Sequence, residues 1–412
     1  MKKRVAILFG GVSVEHEVSV ISGVQAYHAI DTRLFEPIPV YITKNGRWYT
    51  GDALTDVSRY VEGPKLLESC NEVSPRPIRG DWNLYPLASS FLKHSQPIPV
   101  DIYFPVFHGS FGEDGSIQGL FQMMDVPFVG CDVGSASLTM DKVAMKQALL
   151  GLQLPVVQSC WFSRFEFEES PQEVMAQVKA ETGFPCILKP ATLGSSVGIE
   201  VVKSEDEFFD AAGRVTSYCP KVLVEVFLHD MFELNCSVVG NDAYQKTSVL
   251  ERPLSSGELL SFADKYERSG GGAKGKTGGG KGSSMASMDR VIPADVSEER
   301  TQEVQLLAKR VFRGLGCSGV SRIDFMVDRL TDKVYVNELN SIPGSLSFYL
   351  WEKTELPFED LLTELIQLSL IRYREKQMTI YSYDTNLFAL HAGSSRGGSK
   401  SKLGGKVAPS DR

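Results

Sequence analysis

Residues Val5-Ala6-Ile7-Leu8-Phe9 form an unbroken apolar run that stops at Gly10-Gly11. An unbroken run, as opposed to alternation, marks a strand covered on both faces, and such strands belong to parallel sheets. Beyond the glycine turn, Val20, Ile21, Val24 and Tyr27 recur at helical spacing. Strand, turn and helix in that order open a βαβ unit, which commits the first part of the chain to an α/β layer. Strand-like runs at 37–42 and 100–107 extend it, while 51–98 between them reads as loop-rich with scattered prolines.

Residues 136–185 read as mainly helical, followed by strands at 186–189 and 222–226 and an alternating stretch through Val239. An amphipathic helix is expected over 297–315, with Val304, Leu307, Ala308 and Val311 on one side. Two strands and a helix over about 357–376 complete the pattern. Two segments stand apart. Residues 268–288 and 392–412 hold 13 of the 37 glycines, and each carries a charge of +4. The first reads as a loop and the second as a disordered tail. The whole chain has a formal charge of −8, so the remainder carries −16. That acidity excludes a general nucleic-acid-coating protein.

The basic start is followed by only five apolar residues, against roughly 7–15 in a secretory signal and about 20 in a membrane helix. No membrane association is expected. The seven cysteines are scattered and contain no C-x-x-C pair. They read as reduced thiols of a cytoplasmic protein.

Three constellations carry chemistry. Arg322-Ile323-Asp324-Phe325-Met326-Val327 and Val334-Tyr335-Val336-Asn337-Glu338-Leu339-Asn340 both alternate, and a six-residue connection between them predicts an antiparallel hairpin. Period two puts Arg322 with Asp324, and Glu338 with Asn340. Two readings stay open. If the faces coincide, two carboxylates and an amide form a hard-oxygen site for Mg²⁺ and nucleotide phosphates; otherwise the hairpin carries solvated charges. Lys189 ends a strand before a small glycine-bearing turn, 190–198, whose backbone N–H groups suit phosphate. His108, Glu113 and Asp114 lie among four glycines in 108–119, at the carboxyl end of a strand, where open α/β sheets bind ligands. One match fails. Gly270-x₄-Gly275-Lys276-Thr277 fits the P-loop pattern, but no buried strand precedes it and three glycines follow where a helix should open.

Taken together, these residues resemble the D-alanine–D-alanine ligase family of the ATP-grasp superfamily. The likeness runs from residue 4 to about 376. Its motifs occur in family order: Gly10-Gly11-x-Ser13-x-Glu15-His16-x-Val18-Ser19, the 108–119 segment, Met140-Asp141-Lys142, Lys189-Pro190 with Gly194-Ser195-Ser196-Val197-Gly198, and Asn337-Glu338-Leu339-Asn340-x-x-Pro343-Gly344.

The resemblance implies an α/β and α+β chain: an ATP-grasp fold behind a Rossmann-like N-terminal domain. Its expected parts are 1–135, a central lobe 136–224, a C-terminal lobe 225–380 with a mobile loop 264–290, and the tail 381–412. It implies ATP-dependent joining of two D-alanines through an acyl phosphate, for peptidoglycan precursors. Metal ligands would be Asp324, Glu338 and Asn340, holding two Mg²⁺ ions (or Mn²⁺) with Glu338 bridging. ATP would meet Lys142, Lys189, Ser195, Ser196, Glu225, Glu233 and Lys265. Glu225 and Glu233 stand one residue further apart than is usual in the family.

Arg322 and the Gly344 N–H would stabilise the oxyanion. Glu15 would hold the first ammonium, linked to Ser195 and Tyr266, with His108 near the first carboxylate. Tyr266 favours an amine nucleophile, since ligases making D-alanyl-D-lactate replace it. A homodimer is a family habit.

Two departures stand out. Where the family usually has a serine for the second carboxylate, this chain has Tyr349, followed by Leu350, and the usual proline shortly after is missing. The Gly/Lys-rich loop is also unusual, and Lys274, Lys276 and Lys281 could meet ATP phosphates on closure. Other acceptors (D-serine, D-lactate or another amino acid) therefore stay open. A catalytically silent nucleotide-binding protein is a further alternative, opposed by the joint presence of Glu15, Lys189, Arg322, Asp324, Glu338 and Asn340.

Overall fold

The computed structural model describes residues 2–87, 96–194, 196–254 and 290–382, together with 385 and 387. Ser195, the loop containing Lys265, Tyr266 and the lysines at 274, 276 and 281, and most of the tail lie outside the described residues. Residues through Leu370 pack as one unit, and a second begins at Ile371.

The apolar run is β1 (Lys3–Gly10), parallel to β2 (Phe35–Ile42) on one side and to β6 (Ile102–Pro105) on the other. Both faces are covered. Val5, Ile7 and Phe9 pack with Val20 and Val24 of α1 (His16–Ala29), and Ala6 and Leu8 pack with Phe121 of α2 (Ser116–Met124). The loop-rich expectation for 51–98 is corrected. After β3 (Trp48–Thr50) come 3₁₀ turns, then β4 (Asn71–Pro75) and β5 (Leu84–Pro86), giving a six-stranded order β5-β4-β3-β2-β1-β6. Strands of three residues are too short to display a period, so pairing partners define them.

The core beneath α1 also takes in Ile342, Leu346, Trp351, Leu361 and Leu365. C-terminal residues thus complete the inner layer of the N-terminal sheet.

The second sheet is antiparallel, in the order β7 (Ser159–Ser163), β10 (Lys221–Val226), β8 (Cys186–Pro190), β9 (Glu200–Val202). A third antiparallel sheet runs β13 (Arg290–Val291), β12 (Gln245–Pro253), β11 (Met231–Gly240), β14 (Gly319–Asp328), β15 (Lys333–Asn340). The helix Glu298–Gly314 starts where the Ser297 hydroxyl accepts from Arg300 N–H. It buries Val304, Leu307, Val311 and Phe312 against the third sheet, each worth about 1.5–3 kcal/mol of transfer free energy.

At one point the N-terminal and third-sheet segments touch backbone to backbone: a Cβ added to Gly319 would lie 2.8 Å from Gly130 Cα. All seven cysteines are free thiols and six are buried. No described helix is long and apolar enough to cross a membrane.

Candidate active site

The β14–β15 register decides between the two readings of the hairpin. Arg322 lies opposite Asn340 and Asp324 opposite Glu338, with a bulge just after Asp324. Directly opposed residues of an antiparallel pair project from the same face, so the four side chains converge. Arg322 Nε and Nη2 donate to the two Asp324 oxygens at 2.7 Å each, and Asn340 Nδ2 donates to Oδ2 at 3.2 Å. Burial disfavours the charged guanidinium, but Asp324 outweighs it and raises the Arg322 pKa. The row continues across the sheet, with Asn235 of β11 opposite Asp324 and Glu251 of β12 opposite Asn235.

Lysines approach this row from the second sheet. Asp141 caps α3 (Lys142–Gly151) by accepting from the N–H groups of Val143 and Ala144, which sets Lys142 at the first helical position. Lys142 Nζ donates to Leu193 O at 2.7 Å and lies 3.5 Å from Glu338 Oε2. Lys189, at the end of β8, donates to Asn337 Oδ1 at 3.0 Å and pairs with Glu225 Oε2 at 2.6 Å. The other Glu225 oxygen is held by Lys146, one helical turn beyond Lys142, which also donates to Val157 O at 3.1 Å. Glu225 is 1% exposed. Burial alone would raise its pKa, yet Lys189 and Lys146 bring it down to about 2. Lys189 is also raised: burial opposes its charge, while Glu225, Glu338 and Glu233 favour it.

At the N-terminal end, Glu15 is nearly buried, and a Cβ on Gly109 or on Gly194 would come 2.9 Å from its Oε2. The bare backbones of two loops therefore crowd this carboxylate. His108 Nδ1 donates to Ile342 O at 2.9 Å, which leaves Nε2 to accept from the Ser22 hydroxyl at 2.9 Å. Burial lowers the His108 pKa to about 4, so the ring is neutral. Glu113 accepts from Gly109 N–H at 2.9 Å with one oxygen, and from Ile342 N–H at 2.8 Å and Ser341 Oγ at 3.3 Å with the other. Burial, with Glu15 nearby, raises its pKa to about 7.

These contacts surround an unusual turn. Ser345, Leu346 and Ser347 have φ of 50°, 52° and 53° in succession. Left-handed backbone costs a non-glycine residue roughly 1–2 kcal/mol, so three in a row need external support. Ser345 N–H donates to Ser22 Oγ at 2.9 Å and Leu346 N–H to Pro343 O at 2.8 Å. The Gly344 N–H makes no hydrogen bond among the described residues, and Gly344 is only half-buried. Just beyond, the Tyr349 hydroxyl donates to Glu251 Oε2 at 3.0 Å. Arg290 pairs with Glu251 Oε1 at 2.8 Å and lies 4.6 Å over the Tyr349 ring. Burial and Glu251 push the Tyr349 pKa up to about 12.

The structure thus brings Arg322, Asp324, Glu338 and Asn340 together with Lys142 and Lys189. Glu15, His108 and Gly344 border loops that meet one another. Ser196 occupies the 194–198 turn at φ 60°, and Glu233 is half-buried on β11. Glu225 faces its two lysines, and Leu350 is wholly buried. Lys146, Ser22, Glu251 and Arg290 drew no attention in the sequence, and Glu113 drew none beyond its place in a polar segment.

Among the described residues no three His, Cys, Asp or Glu side chains converge as a metal site. The donor set is two carboxylates and one amide oxygen, which suits a hard cation that completes its shell with phosphate or water.

A mixed α/β sheet, parallel around β1 and antiparallel from β2 to β5, followed by two antiparallel sheets linked through contacts of Lys142 and Lys189, defines an ATP-grasp enzyme. The family models agree: "D-ala D-ala ligase N-terminus" matches residues 4–131 and "D-ala D-ala ligase C-terminus" matches 149–367. A D-alanine–D-alanine ligase from Thermosipho melanesiensis is 34% identical over 392 residues, covering 94% of this chain and 99% of that one. Its counterpart from Natranaerobius thermophilus is 37% identical over 384 residues, covering 91% and 97%. Among solved structures, the D-alanine–D-alanine ligase from Coxiella burnetii superposes with a TM-score of 0.72 at 26% identity, covering 96% and 99%. The VanG D-Ala:D-Ser ligase from Enterococcus faecalis superposes at 0.74 and 29%, covering 90% and 100%. The chain belongs to the D-alanine–D-alanine ligase family.

Proposed function

We propose that this protein joins two D-alanines into D-alanyl-D-alanine for cell-wall precursor synthesis, converting ATP to ADP and phosphate. The observation that carries this reading is the Arg322–Asp324 and Asn340–Glu338 register, with Lys142 3.5 Å from Glu338 and Lys189 3.0 Å from Asn337. Three lobes, 1–135, 136–224 and 225–380, are part of it. Seven free thiols support work in a reducing compartment such as the cytoplasm.

Lys142 and Lys189 bind the nucleotide phosphates. Two magnesium ions held by Asp324, Glu338 and Asn340 would supply charge neutralisation there. Glu15 holds the ammonium of the first D-alanine and so orients its carboxylate, which takes the γ-phosphoryl group and becomes an acyl phosphate. The amine of the second D-alanine then attacks the acyl carbon. Arg322 and the Gly344 N–H stabilise the oxyanion that forms. Phosphate leaves, the nitrogen loses its proton, and the peptide bond remains. His108, already neutral, adds no positive charge to the site.

The test is ADP and phosphate release with Mg²⁺ across D- and L-amino acids and D-lactate. D-alanine-dependent release with dipeptide formation is expected; no substrate-dependent release with any of them would overturn the reading. A second acceptor, D-serine, is favoured by one observation: Tyr349 replaces the usual serine and commits its hydroxyl to Glu251. A higher kcat/KM for D-serine than for D-alanine as acceptor would select it.

A further inference from the structure

The Gly344 turn is fastened from outside its own segment. On one side of Gly344, the Ile342 N–H is bound by Glu113 and the Ile342 carbonyl by His108. On the other, the Ser345 N–H is bound by Ser22. Ser22 sits on α1, while His108 and Glu113 sit in the loop after β6, so all three holders belong to the N-terminal sheet's layer. They are joined to one another as well: Ser22 donates to His108 Nε2, and Glu113 also takes the Gly109 N–H. All three are buried.

Two further observations show that the turn's own bonds leave it in need of this frame. Ser345, Leu346 and Ser347 are consecutively left-handed, and the buried hydroxyls of Ser345 and Ser347 have no hydrogen-bond partner among the described residues. Inside this frame the Gly344 N–H has no acceptor among the described residues.

We propose that Ser22 and Glu113, coupled through His108, are positioning residues that fix the Gly344 N–H at the point where negative charge develops on the acyl carbon's oxygen. The inference rests on the ligase reading above. Ser22 and Glu113 need not touch a substrate. Their bonds lie two residues before and one residue after Gly344, which pins the Pro343–Gly344 peptide from both sides. A donor held in place before charge appears needs no reorganisation when it does. A displacement of about 1 Å in such a group can lower the rate about 10²-fold.

The test uses the full-length protein with Ser22→Ala, Glu113→Gln and Glu113→Ala. Three quantities are followed: steady-state dipeptide formation, ATP affinity, and affinity for a dipeptide analogue with a tetrahedral phosphinate in place of the peptide carbonyl. Ser22→Ala and Glu113→Ala should lower kcat about 10- to 100-fold while leaving KM for ATP within about threefold. Affinity for the tetrahedral analogue should fall by the same factor as kcat/KM. Glu113→Gln keeps a carbonyl oxygen for the Ile342 N–H and should recover part of the loss. A kcat within threefold of wild type in Ser22→Ala and Glu113→Ala would overturn the proposal. So would a loss of kcat with unchanged analogue affinity. If Glu113→Ala does not fold, Ser22→Ala, which removes one hydroxyl, decides the question. Wild-type protein without D-alanine-dependent turnover would overturn the ligase reading itself, and this inference with it.

Discussion

At the end of β8, Lys189 is fixed by charge. It pairs with a buried carboxylate that a second lysine also holds. At the Gly344 turn the fastening is directional, made of hydrogen bonds between Ser22, His108 and Glu113 and a backbone wound against its preference. The difference follows from what each side must do. Coulombic attraction falls slowly with distance, so a lysine can exchange one anion for another when phosphate arrives. A hydrogen bond weakens steeply with angle, so it suits a donor that must not move. On the function proposed above, one side would trade partners and the other keep them.

Breaking the charged side should have the largest effect. Lys146→Met leaves Glu225 buried with one cation, and should lower stability by about 3–5 kcal/mol, read as a shift in the urea midpoint at pH 7. A change below about 1 kcal/mol would mean that Lys189 alone neutralises Glu225. Glu338→Gln should leave the fold intact and lower kcat about 10³-fold, or about 4 kcal/mol of transition-state stabilisation; near-normal turnover would remove the metal assignment.

The acid response of the charged side comes next. The Glu225 pKa of about 2 lies below its ordinary 4.5. The pair's contribution is therefore complete above about pH 5 and is lost as the pH falls through 4.5 toward 2. The loss is roughly 3 kcal/mol. The stability difference between wild type and Glu225→Gln should shrink over that window, and a pH-independent difference would contradict the pairing. The smallest effect concerns a single hydrogen bond. Tyr349→Phe removes one donor to Glu251, which keeps Arg290, and should cost about 1 kcal/mol. A loss above 3 kcal/mol would show that the phenol carries more of that cluster than its single bond implies.

Patterns that repeat over six or more residues were legible in the sequence. α1, the helix Glu298–Gly314 and the β14–β15 hairpin declare themselves by period, and β1 by its unbroken apolar run. The convergence of Arg322, Asp324, Glu338 and Asn340 needed one more fact, the register, which the strands alone do not state. Three-residue strands such as β3 and β5 stayed hidden because their neighbours define them.

Lys146 was hidden for a different reason. A lysine four residues after Lys142 reads as a solvated helix face, and only its meeting with Glu225, 79 residues away, makes it a buried ion. Glu113 lay inside a segment marked as polar, yet its partners are at 341 and 342. Leu350, expected beside the second substrate, is wholly buried.

The touch between Gly130 and Gly319 sets a manufacturing tolerance for the molecule. Any side chain at Gly319 would come within 2.8 Å of the opposite backbone and act as a spacer. The missing side chain at Gly319 keeps that gap to gauge.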